Sequence, residues 1–295
     1  MINFLIQSTK KIKLYGFYNL SLYDILFFFY KGVKKGAITT RASSLAFNFF
    51  LAFFPSIIVL FTLIPYIPIV NIQETLMELI STILPPLTNE IAFSTIDDIV
   101  NNPRSGLLSI GFILTIFFAT NGVNSLIEAF NSSYHINESR SIIQQRLLSF
   151  GITFLLSCIL MITILLIIFS KIVVNYLITI ELVDNKSVEY ILFGKWIVII
   201  FMLFVGISIT YHFGPRVKKK FKLFTPGSII STCLIIITSS FFNYYISNFA
   251  EYNKVYGSIG TLIIILLWMY FNSIILLIGF ELNASIFNAK KQKKL

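Results

Sequence analysis

LLSFGITFLLSCILMITILLIIFSKIVVNYLITI, residues 147–180, carries one charged side chain, Lys171, in 34 positions. A helix needs about 20 apolar residues to cross a hydrocarbon core of about 30 Å. The stretch reads as a membrane-spanning helix. At about 1.5 Å per residue it would be about 50 Å long, so it is expected to tilt or to project beyond the bilayer.

Five further segments have the same character: residues 44–70, 106–132, 191–213, 226–249 and 256–287. The first contains Pro55, Pro65 and Pro68, which lipid tolerates better than water does but which should kink or end the helix. The fifth opens with Pro226-Gly227, and proline suits a first helical turn. Two regions read as interfacial. Ser21 and Asp24 resemble a capping box before YDILFFFYKGVKK, whose apolar part is too short to cross and whose tail is basic, so a helix on the inner leaflet is expected. The loop 71–104 holds two amphipathic stretches split by Pro85 and Pro86, which suggest a helical hairpin on the outer face.

The whole chain agrees with this reading. It is 56% hydrophobic and only 12% charged, against roughly a quarter charged residues in a soluble domain, and its mean hydropathy is +0.84. The fold class is therefore all-α: a polytopic bundle of about six transmembrane helices with an N-terminal interfacial helix and a short outer hairpin. The expected organisation is a cytoplasmic segment 1–43, a six-helix membrane domain 44–288 and a basic tail 289–295.

A net charge of +10 would suggest a nucleic-acid partner in a soluble protein, but 18 of the 23 Lys and Arg fall in alternate loops and at the two ends of the chain. Basic loops stay cytoplasmic, which predicts both termini inside the bacterial cytoplasmic (inner) membrane and an even number of spans. Lys195 falls in the expected first turn of the fourth segment, from which it can snorkel outward. The opening MINFLIQSTKKIKLYGFYNL reverses the basic-then-apolar order of a signal peptide, so the N-terminus is expected to be retained. Cys158 and Cys233 lie in apolar runs with no C-x-x-C and read as reduced, buried packing residues.

Polar side chains inside a membrane are costly and invite a functional reading. Asn121, Asn124, Glu128 and Asn131, spaced by three, four and three, fall within one arc of about 80° at 100° per residue. Counted from Gly106, Asn121 lies about 22 Å and Glu128 about 33 Å along the helix, so the stripe occupies the inner half of the bilayer. Arg41 begins the first helix at that level, Asn48 is two turns deeper, Glu281 ends the sixth helix and Arg140 follows the stripe. Two readings stand. In one, Arg41 or Arg140 meets an anionic group in a hydrated pocket and Glu128 or Glu281 balances the charge. In the other, Arg41 pairs with a carboxylate and the asparagines join helices, each such bond contributing roughly 0.6 kcal/mol.

The run RVKKKFK, residues 216–222, reads as ordinary inside retention with lipid contacts. His135 and His212 without H-x-H, H-E-x-x-H or a carboxylate cluster make no metal site. Gly257, Ser258 and Gly260 suggest close approach of the sixth helix to a neighbour, and Trp196 suits an interfacial belt. No phosphate-binding loop and no serine-esterase elbow occurs, so an enzyme is not expected and neither is a cofactor.

Four segments carry a resemblance: ITTRASSLAFNFFLAFFPSIIVL, NGVNSLIEAFNSSYHINESRSIIQQR, FTPGSIIS and VYGSIGTLIIILLWMYFNSIILLIGFELNA. Together they resemble the YihY/virulence factor BrkB family of bacterial inner-membrane proteins from about Gly36 to the end of the sixth helix. Phe118 departs from that pattern, which favours tryptophan there. The resemblance implies six membrane helices and an association with the cell envelope. Members once carried the label ribonuclease BN, but short inner loops and the lack of a carboxylate or histidine cluster argue against a nuclease. Members have also been discussed in serum resistance and envelope lipid or lipopolysaccharide traffic. Two function classes follow as expectations: a transporter or flippase-like protein for a lipid or amphiphilic anion, and a non-transporting scaffold or regulator of envelope assembly. The expected partners are membrane lipids, anionic head groups among them, and no nucleic acid; a homo-oligomer is compatible with either class.

Overall fold

The computed structural model describes residues 22–35, 37–63, 105–133, 140–179, 185–217, 222–248 and 258–292. Among them every regular element is an α-helix: α1 (Leu22–Lys35), α2 (Ile38–Leu63), α3 (Ser105–Ser133), α4 (Ile142–Thr179), α5 (Asn185–Phe213), α6 (Pro226–Asn248) and α7 (Ser258–Gln292). Five of these, α3 to α7, are long and apolar enough to span a membrane on their own. A sixth span results when α1 and α2 are taken together as one bent pair. The break between them falls at Ala37, whose φ of 43° is left-handed, a conformation that ends helices.

The helix ends differ from the apolar windows in a consistent direction. α2 begins at Ile38, not at residue 44, and α5 at Asn185, not at residue 191; α7 runs on to Gln292. Backbone hydrogen bonding continues through polar turns such as Thr39, Thr40 and Arg41, whereas hydropathy registers only what sits in hydrocarbon. Lys195 lies well inside α5 but within the first turn of its apolar span Phe193–Phe213, as expected for the fourth segment. Pro55 stands inside α2, while Pro65, Pro68, Ser21, His135, Gly257 and the expected hairpin 71–104 lie outside the described residues.

Exposure follows what lipid requires. Ile113, Ile142, Met161, Phe169, Phe193, Phe241 and many other large apolar side chains are exposed, while serines, threonines and Glu281 are buried. With hydrocarbon outside there is no gain in hiding apolar groups, and backbone proximity and hydrogen bonds decide the packing. α4 is the extreme case: only 6% of its most apolar window is buried, against 28% for each of the other four spans. Most of its length is exposed; Cys158 on it is only half-buried and Cys233 of α6 is exposed, a correction to the expectation that both are buried.

Two compact units divide the described chain. The first takes its residues from Met1–Ile38, Leu126–Leu234 and Leu276–Leu295; the second from Thr39–Ser125 and Ile235–Ile275. The boundary falls within α3, α6 and α7. In the first unit Phe130 and Phe280 stack with centroids 3.9 Å apart, and Tyr211 meets both edge-on at 5.5 and 5.4 Å. Phe28 of α1 packs, as Leu282 does, against the buried pair Ile286 and Ala289 of α7. In the second unit Gly122 of α3 lets the Phe49 ring of α2 approach: a Cβ there would lie 2.9 Å from the ring.

Candidate functional site

The residues singled out from sequence divide between the units. Arg41, Asn48, Asn121 and Asn124 belong to the second; Glu128, Asn131, Arg140 and Glu281 belong to the first. In the second unit Arg41, Asn121 and Asn124 are half-buried. Asn48 donates from Nδ2 to Ser44 O at 2.9 Å and to Ser125 Oγ at 3.0 Å, so it ties α2 to α3 beside the Gly122 contact.

In the first unit the end of α3, the start of α4 and the end of α5 meet. Asn131 is 2% exposed, and its Oδ1 accepts from the backbone N–H of Arg216 at 2.9 Å. Arg140 donates from one guanidinium nitrogen to Gly214 O at 3.3 Å. The turn after α5 is thus held from two sides. Glu128 is exposed and accepts from Gln145 Nε2 at 3.3 Å. α4 itself opens with a capping box: Ser141 Oγ accepts from Gln144 N–H, and Gln144 Oε1 accepts from Ser141 N–H, both at 3.3 Å, which satisfies donors that a helix start leaves open.

Glu281 is 3% exposed within an apolar helix. Gly32 of α1 packs so close to its carboxyl that a Cβ would overlap it. Glu281 is one of ten buried polar side chains in the first unit, out of twelve among the described residues; Thr120 and Ser273 are in the second. Two of the ten, Ser208 of α5 and Ser285 of α7, have buried hydroxyls with no hydrogen-bond partner among the described residues. A carboxylate inside a membrane span marks a functional site by default, and hydroxyl groups elsewhere in the same unit add donors and acceptors without adding charge.

A second cluster in this unit escaped sequence reasoning. Tyr211 donates to Leu276 O at 2.6 Å and shares a 2.7 Å bond with Ser231 Oγ. Asn283 accepts from Gly227 N–H at 2.9 Å and donates to Thr225 Oγ1 at 3.0 Å, so the first turn of α6 is capped by α7. Gly227 and Gly279 face each other closely enough that a Cβ on either would strike the carbonyl oxygen of the other. The signal lay in FTPGSIIS, whose small residues permit this approach near the end of α7 opposite to Ser258 and Gly260. Among the described residues no three His, Cys, Asp or Glu side chains come together as a metal site.

Comparison with known proteins matches the span 29–295 to the family model described as Virulence factor BrkB. The chain is 29% identical over 252 residues to a ribonuclease-like protein named YfkH of Bacillus subtilis, covering 85% of this chain and 91% of that one. It is 26% identical over 270 residues to a UPF0761 membrane protein of Haemophilus influenzae, covering 90% and 96%. With a UPF0761 membrane protein of Alteromonas mediterranea the figure is 25% over 297 residues, covering 98% and 96%. No solved structure matches the chain.

Proposed function

We propose, for a chain that belongs to the virulence factor BrkB family and is a multi-pass membrane protein, a transporter or flippase-like function toward a lipid or other amphiphilic anion in the bacterial cytoplasmic membrane, with both termini cytoplasmic. The observation that carries the reading is Glu281, a carboxyl group buried at 3% exposure in a unit that also buries nine other polar side chains, while the outside of the protein is apolar. An amphiphile's head group crossing a bilayer needs a polar route that its tail can accompany from lipid, and such a route requires polar groups screened from hydrocarbon. Arg140, in the same unit, supplies a cation for an anionic head group, and Arg41 supplies one in the other unit.

The test is head-group translocation in vesicles, with a fluorescent phospholipid whose outer-leaflet copies are quenched. Wild-type protein is expected to speed loss of protected fluorescence, and Glu281→Gln, which keeps shape and loses charge, to slow it by about tenfold, as for a lost transition-state interaction of about 1.4 kcal/mol. No acceleration by folded wild-type protein overturns the reading.

A second reading, a non-transporting scaffold or regulator of envelope assembly, is favoured by a separate observation. Asn48, Asn131, Arg140 and Glu128 each have a hydrogen bond to another helix or its following turn, which is what helix-joining residues do. On that reading, removing the basic tail 290–295 harms envelope assembly more than changing the stripe does. We also propose that the chain is not an enzyme. The name of the Bacillus relative bears on that protein, and cleavage of RNA by purified protein with an added divalent cation would overturn the proposal here.

A further inference from the structure

A groove of about 230 Å³ lies between α4 and α5, walled chiefly by Leu166, Ile167, Val198 and Ile199 and bordered by Lys195. Its two hydroxyl groups already donate within their own helix, Thr163 to Ile159 O and Ser170 to Ile167 O, both at 2.7 Å. That leaves the Lys195 ammonium as the donor available to a ligand. No described side chain forms an ion pair with it. A lysine bordering an apolar groove, its long side chain able to carry the ammonium to the rim, is complemented by a molecule with an anionic end and a hydrocarbon remainder.

The depth agrees. Lys195 is two residues into the apolar span Phe193–Phe213 and next to the exposed Trp196, the level at which head groups and aromatic belts sit. On α4 the groove runs from Val173, close to the end of that helix's span, back to Thr163. Ten residues at 1.5 Å are about 15 Å, half of a hydrocarbon core of about 30 Å and so the depth of one leaflet.

We propose that this groove is a binding site for one anionic glycerophospholipid, its phosphate on Lys195 and an acyl chain along α4 from Val173 toward Thr163. The site is in the leaflet on the side of the α4–α5 connection. It does not depend on transport: the groove is filled at equilibrium whether or not the protein moves lipid.

The experiment is native mass spectrometry of the full chain, titrated in detergent with an equimolar mixture of phosphatidylglycerol and phosphatidylcholine of matched chains. Wild-type protein is expected to retain phosphatidylglycerol about fivefold more than phosphatidylcholine, the preference one basic residue near an anionic surface confers. Lys195→Gln is expected to bring the ratio to parity, Lys195→Arg to keep it, and Ile199→Trp, which fills the wall, to reduce retention of both lipids. Parity in the wild type, or an unchanged preference in Lys195→Gln with wild-type thermal stability, overturns the proposal. Lys195→Met gives the same reading should the Gln variant be unstable.

Discussion

Gly279 of α7 approaches α6 so closely that a methyl group would meet Ser231 Oγ, the Gly227 carbonyl and the Tyr211 hydroxyl at once. All three neighbours are backbone or tied by hydrogen bonds, so they do not yield cheaply. Gly279→Ala is expected to lower stability by about 1–3 kcal/mol through overpacking. Gly151, with nothing within 4 Å of a Cβ, should instead gain up to about 1 kcal/mol as Ala, because helix propensity alone is at stake. Thermal unfolding of the two variants in detergent checks the contrast. For Asn48 and Ser125, a double-mutant cycle to Ala should return a coupling of about 0.6 kcal/mol, the ordinary worth of an inter-helix hydrogen bond in lipid. At this scale sequence reading saw the chemistry and not the partners. Asn131 stood out by its spacing, but nothing local says that it meets the backbone of Arg216, 85 residues on. Gly32 gave no sign of touching Glu281, because that contact is made by tertiary packing alone.

Helices were far more legible, since each spans lipid by a length and an apolarity that one window of sequence reveals. α6 begins at Pro226 as its Pro-Gly opening predicts, and the errors elsewhere lie at polar turns outside the hydrocarbon. α4 puts the physical cause to the test. Its 38 residues would extend about 57 Å, far more than a core of about 30 Å, so part of it stands in water even if it tilts. Ile143 and Met161 are similarly exposed at 72% and 65%, yet one is expected to face water and the other lipid. With Cys158 and Cys233 replaced, Ile143→Cys should react with a membrane-impermeant maleimide in open membrane sheets, where the reagent reaches both faces, and Met161→Cys should not. Equal labelling would mean that α4 does not cross where its composition says it does.

The molecule as a whole combines an apolar exterior with a first unit whose buried side chains include a carboxyl group and nine other polar residues. The class of fold follows from hydropathy and charge distribution, and the family from motifs spread along the chain; what the polar groups act on does not, because hydroxyl and carboxyl groups recognise charge and hydrogen bonding without naming a molecule. An even number of spans predicts that reporters fused at either end report the same compartment. Opposite compartments would require one of α3 to α7, or the bent α1–α2 pair, not to cross. The central claim is that Glu281 serves the passage of an amphiphile. The direct measurement is the rate of fluorescent phospholipid translocation in vesicles holding equal amounts of folded wild-type or Glu281→Gln protein. A wild-type rate well above that of protein-free vesicles, reduced about tenfold by the substitution, is the predicted result; equal rates in the two proteins would contradict it.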